Sequence, residues 1–194
     1  MELAFIITSS LLVLYGILGF YDGVFLHLYK YRLHARAESK NEHISHTVRA
    51  LLFPAILYFI FLSPSTLGFG IGLAFVALDI LTLTADAYME GDSRKFMGGL
   101  PRWEYIVHLF VNGFHFAALS VFLAAKVDLS PDGMRLVTDF SHVSSYGAFQ
   151  FIVQNLIPGA VIIGFLHLFL MLPTFQSYFH KLSFPCCKPA TNIN

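Results

Sequence analysis

The sequence predicts an all-α, polytopic membrane bundle of five transmembrane helices, built as a pseudo-symmetric four-helix core with one flanking helix. Three observations carry this expectation. Hydrophobic residues make up 56% of the 194 positions and charged residues only 12%, about half the share usual in a soluble domain. Five stretches stay apolar for about twenty residues, enough to cross a hydrocarbon core of about 30 Å at about 1.5 Å per residue. The connections between them alternate between basic and uncharged or acidic.

The first stretch runs from Leu3 to Tyr29. It lacks a basic leader and continues past the length of a signal peptide, so it reads as a retained helix. The second runs from Glu42 to Leu62 and contains Pro54, which neighbouring helices can tolerate inside a membrane. The third covers Leu67 to Glu90 and the fourth Trp103 to Ala125. Between them, Gly98-Gly99-Leu100-Pro101 stops one helix and starts the next. It lacks the Lys-Ser/Thr ending of a phosphate loop. The fifth runs from Ala148 to Leu172 around Pro158. None of the five alternates apolar with polar residues, as barrel strands would. The length suits one domain: a transmembrane unit over 1–180 and a short cytoplasmic tail over 181–194.

Charge sets the expected orientation. Segment 30–41 carries Lys30, Arg32, Arg36 and Lys40, and segment 91–102 carries Arg94, Lys95 and Arg102. The turn at 63–66 has no charge, and the connection 126–147 is acidic on balance. Basic loops stay cytoplasmic, so the N-terminus is expected outside and the C-terminus inside. The loop arginines read as orientation signals and contacts to anionic lipid. Net charge is zero, which gives no case for nucleic acid as a partner. Cys186 and Cys187 are adjacent, an arrangement that rarely forms a structural disulfide. An unmodified pair is the simpler reading, with acylation as the alternative.

Acids and imidazoles inside membrane segments cost a few kcal/mol each, about +3 on the lenient insertion scale. Here they cluster toward the basic-loop ends of helices one to four. The third helix carries Asp79, Asp86 and Glu90, spaced by seven and four, within about 40° on one helical face. The fourth carries Glu104, His108 and His115, spaced by four and seven. Measured from the connecting loop, Glu90 is expected level with Glu104, Asp86 with His108, and Asp79 with His115. The first pair of helices echoes this with Asp22 and His27, then Glu42, His43 and His46. Both halves read helix, Asp, basic loop, Glu-x-x-x-His, helix, a weak internal repeat.

Inward-pointing carboxylates and imidazoles from four helices are the ligand set of a di-metal site. Candidate ligands are Asp22, His27, Glu42, His46, Asp86, Glu90, Glu104 and His108. Asp79 and His115, deeper in the bundle, are candidate catalytic or proton-relay residues. The constellation resembles that of di-iron and di-manganese helix bundles, although those use Glu-x-x-His where this chain has Glu-x-x-x-His. The eight-histidine pattern of membrane desaturases is absent. The resemblance implies two iron ions as cofactors, with zinc or haem as alternatives.

Simpler readings stand beside these. Asp79, Asp86 and His115 could be a hydrogen-bonded cluster that only ties helices together. Glu42 and Glu104 sit in first turns, where an acid favours the helix dipole. His34 and Glu38 are expected in solvent, His142 on the opposite surface, and His167 as a packing histidine. The expected function is a membrane-embedded, metal-dependent oxidoreductase acting on a lipid or quinone-like molecule, with membrane lipid as partner. Alternatives are a b-type haem protein using His46 and His108, a proton or metal-ion transporter, a zinc lipid hydrolase, and a non-catalytic subunit of a membrane complex.

Overall fold

The computed structural model describes residues 1–131 and 133–182, so Cys186, Cys187 and most of the expected tail lie outside the described residues. Among the described residues five helices are long and apolar enough to cross a membrane, and the chain is an all-α membrane bundle. α1 (Glu2–Gly19) runs straight on as a π-helix over Phe20–Lys30. α2 (Lys40–Ile56) ends in a second π-helical stretch, Leu57–Leu62. α3 (Thr66–Ser93), α4 (Arg102–Lys126) and α5 (Tyr146–Phe169) follow. A small hairpin of β1 (Val127–Ser130) and β2 (Gly133–Leu136) fills part of the connection after α4, and α6 (Pro173–Leu182) ends the described chain.

The bundle has the inverted pattern of a protein solvated by lipid. Leu3, Leu67, Leu81, Phe151 and Ile162 are more than half exposed, while Asp22, Glu42, Asp79, Asp86 and Glu104 are buried. Helices pair across the two halves of the sequence repeat: α1 packs on α4 and α2 packs on α3. α5, expected as a flank, lies against both α2 and α1 and closes that side. Its contact with α2 is close because Gly164 has no side chain. A Cβ there would sit 3.0 Å from the Ala50 carbonyl oxygen, the approach that small residues permit between membrane helices.

The end of the bundle away from the basic loops is filled by aromatic rings. Phe5, Phe61, Phe122 and Phe149 are at most 1% exposed, with Phe122 stacked on Phe149 at 5.4 Å and edge-on to Phe5 at 6.2 Å. Two polar ties lock this end. The Glu2 carboxylate accepts hydrogen bonds from the Ser144 and Ser145 backbone N–H groups at 2.6 and 3.0 Å, satisfying donors left open at the start of α5. Buried Lys126 donates from Nζ to the Ser63 and Ile60 carbonyls at 2.9 and 3.3 Å, closing the end of the second span. Lys126→Met leaves those acceptors without a partner. It is expected to destabilise the fold by about 1–3 kcal/mol, read as a lower thermal midpoint in detergent.

Candidate metal centre

The site begins with a local departure from α-helical geometry. Asp22 and His27 are five residues apart, which places them about 140° apart around an α-helix of 3.6 residues per turn. In the π-helical stretch the backbone bonds skip five residues, as in Tyr31 N–H to the Leu26 carbonyl at 2.8 Å. Residues five apart then stack on one face. His27 Nε2 lies 3.5 Å from Asp22 Oδ1, and both residues are buried.

The expected level-by-level matching of α3 with α4 holds at its two ends: His115 Nε2 is 3.3 Å from Asp79 Oδ2, and Glu90 and Glu104 bring donor atoms within 4.8 Å of each other beside His108. At the level between them the pairing crosses between the halves. His108 of α4 reaches Asp22 of the first helix, Nε2 to Oδ1 3.0 Å. His46 of α2 reaches Asp86 of α3, Nε2 to Oδ2 3.3 Å. The two Asp–His pairs are thus exchanged between repeats. The reason is the packing: α3 lies on α2 and α4 on α1, so each stripe meets the other half. His108 also turns Nδ1 toward Glu90 Oε1 at 2.6 Å, and Ser45 donates to Asp86. A neutral imidazole can donate from one nitrogen only. His108, between two carboxylates, is satisfied by carrying both protons or by offering a nitrogen to a cation.

Arg94 is the second correction. Expected as a surface orientation signal, it is fully buried at the mouth of the cluster. Nη1 donates to Glu42 Oε2 at 2.7 Å and Nη2 to Glu104 Oε1 at 2.8 Å, so one cation joins the equivalent glutamates of both halves. Burial alone would weaken its hold on the proton. The two carboxylates more than offset this and push the guanidinium above its ordinary value. Neither glutamate caps a helix: the first turns of α2 and α4 have no side-chain cap.

Even with Arg94, the cluster is short of positive charge. Asp22, Glu42, Asp79, Asp86, Glu90 and Glu104 are all buried or nearly so, and the guanidiniums among them are Arg49 and Arg94. Several polar atoms there also lack hydrogen bonds: both ring nitrogens of His27, Oε1 of Glu42 and Oε2 of Glu104. An orphaned buried polar atom costs about 1–3 kcal/mol, so such a group points to an absent partner. The clustered His, Asp and Glu atoms can coordinate a metal. Among the described residues three sets have donors within 4.8 Å of one another: Asp22, His27 and His108; His27, Glu42 and His46; Glu90, Glu104 and His108. Metal–donor bonds of about 2.0–2.2 Å put neighbouring ligand atoms about 3–4.4 Å apart. The 3.5 Å from His27 to Asp22, 3.9 Å from His27 to Glu104 and 3.8 Å from His46 to Glu42 fit that range. Asp86, the eighth candidate, joins through His46.

The remaining candidates fall into two neighbouring groups. Asp79 and His115 sit deeper and hold Arg49, whose Nε donates to Asp79 Oδ1 at 2.9 Å and Nη2 to Asn112 Oδ1 at 2.8 Å. Arg49 carries the signature that exposes the acids, a charge inside an apolar span, and marks α2 as directly as Asp79 marks α3. Nearer the basic loops, His34 is buried rather than solvated, because α6 covers it: Gln176 donates to its carbonyl at 3.0 Å and Phe179 meets its ring edge-on. His43 and His167 are also buried and stack at 5.5 Å. His167 therefore does pack, and it also lines the central cavity.

That cavity, about 990 Å³, is lined by all five spans and opens on one side to the surface of the bundle. Asp22, His46, Asp86, Glu90 and His108 line it together with apolar side chains such as Val13, Phe53, Phe116 and Leu156. No protein-family description, curated protein or solved structure matches the chain.

Proposed function

We propose that the chain is a membrane-embedded oxidoreductase that holds two iron ions between its first four helices and acts on a lipid or quinone-like molecule. The observation that carries this reading is the overlap of three donor sets through His27 and His108, with His27 making no hydrogen bond of its own. His27, Glu42 and His46, with Asp86 beside them, would hold one ion. Glu90, Glu104 and His108, with Asp22 beside them, would hold the other. Mixed carboxylate and imidazole ligands suit iron and oxygen chemistry, and bound iron would supply the redox step. Asp79 and His115 serve the site indirectly, by fixing Arg49. The end bearing Lys30, Arg36 and Arg102 faces the cytoplasm in this reading, with the N-terminus outside.

Other readings fit less well. Bis-histidine haem would need His46 and His108 free to flank a flat macrocycle. His27 stands 4.1 Å from one ring and 5.5 Å from the other, amid carboxylates. A transport path would have to pass the buried phenylalanines of the far end. Zinc lipid hydrolysis needs only three ligands and a water and remains the variant with different metal chemistry. Elemental analysis of the purified chain, with an optical spectrum, tests the proposal. About two iron atoms per chain and no haem absorption are expected. Stoichiometric zinc would convert the reading to hydrolysis, and absence of any transition metal would remove it.

A further inference from the structure

The cavity lining also holds a cation that metal binding does not use. Arg49 lines the cavity together with Tyr15 and Asn112. Its contacts to Asp79 and Asn112 engage two of the five N–H donors of a guanidinium. Asn112 is fixed in turn, donating from Nδ2 to the His108 carbonyl at 2.9 Å, and His115 braces Asp79 from the other side. The head group is thus held in place by three residues while presenting donors to an apolar-walled space. Donors facing such a space need an acceptor.

The charge nearby decides which acceptor. Asp79 already balances Arg49, and Asp22, Asp86 and Glu90 line the same cavity. Because Asp79 leaves no surplus positive charge on Arg49, a carboxylate or phosphate ligand would bring an uncompensated charge into a low dielectric; a neutral carbonyl oxygen would not. The apolar lining, including Val13, Ile17, Phe53, Phe116, Leu156 and Ile163, suits an alkyl or isoprenoid chain. The volume lies at the upper end of small-molecule sites, roughly 300–1,000 Å³.

We infer that Arg49, held by Asp79 and Asn112, receives the carbonyl oxygen of a neutral long-chain ligand, a quinone or an acyl ester, within this cavity. The inference names the substrate class of the proposed oxidoreductase and rests on that reading. Asp79, His115 and Asn112 are positioning residues here.

The test measures equilibrium binding of decylubiquinone, methyl palmitate and palmitate to the full chain in detergent, alongside its metal content. Wild-type protein is expected to bind one of the two neutral probes at least tenfold more tightly than palmitate. The probe preferred separates quinone from ester. Arg49→Gln is expected to weaken that binding at least tenfold with metal content unchanged. Gly113→Phe gives a second arm that leaves the ion pair intact: Gly113 lines the cavity and a side chain added there meets open space. It is expected to abolish binding in a normally folded protein. Palmitate bound as tightly as its methyl ester, or unchanged affinity in Arg49→Gln or Gly113→Phe, overturns the inference. Metal without binding of either neutral probe sinks this inference alone. Binding without metal sinks the oxidoreductase reading and leaves the carbonyl site.

Discussion

Arg94→Met is expected to be the most damaging single substitution in the chain. Its guanidinium is the shared partner of Glu42 and Glu104, and all three side chains are fully buried. Removing one member of a buried pair typically costs about 3–5 kcal/mol, because the other charge is left without compensation. Here one cation serves two carboxylates from opposite halves of the bundle. Against a total stability of about 5–15 kcal/mol, the variant is expected to lose most of its folded population. Thermal unfolding in detergent reads the effect directly. Two controls separate charge from packing. Adding Glu42→Gln and Glu104→Gln to Arg94→Met removes the stranded charges and is expected to restore much of the lost midpoint. Excess divalent metal is expected to restore part of it in the single variant, since a cation near Glu42 and Glu104 does the same electrostatic work. A wild-type midpoint in Arg94→Met alone would show that these carboxylates do not depend on it.

The five spans were legible because lipid leaves a chain few options: long apolar helices, with every backbone group bonded internally. The polar cluster was legible for the same reason. Asp79 and Asp86 have no cheap place in hydrocarbon, so their presence implied a shared interior. Periodicity, however, tells which face of a helix a residue occupies and not which helix it meets. The stripes on α3 and α4 are adjacent in sequence, yet His108 pairs with Asp22 and His46 with Asp86. The repeat Asp, Glu-x-x-x-His held the better clue, since two equivalent halves can exchange partners about a common axis. The Asp22–His27 spacing is uninterpretable on an α-helix and becomes a contact only through the π-helical turns. Arg94 was hidden by context: a base in a basic loop reads as an orientation signal, and only the folded chain shows it turned inward. His34 was concealed likewise, because the helix that covers it does so through Gln176, 142 residues further along the sequence.

His27 offers the sharpest separation between a metal ligand and a packing residue. Its two ring nitrogens are buried, the residue being 1% exposed, and no group of the chain hydrogen-bonds to them. Leucine at that position removes two orphaned polar atoms, each worth about 1–3 kcal/mol of penalty. Metal-free His27→Leu is therefore expected to be as stable as the metal-free wild type or more so. The same change removes a donor common to two of the three sets, so bound metal is expected to fall at least tenfold, measured by elemental analysis after dialysis against the free ion. His108→Leu behaves differently. That ring faces Asp22 at 3.0 Å and Glu90 at 2.6 Å, and its loss strands both carboxylates, lowering stability with or without metal. Comparing the two variants sorts chemistry from architecture. Metal loss together with a retained or raised midpoint in His27→Leu cannot arise from misfolding. Unchanged metal content in that variant would take His27 out of the site, and with it the link between the two inner donor sets.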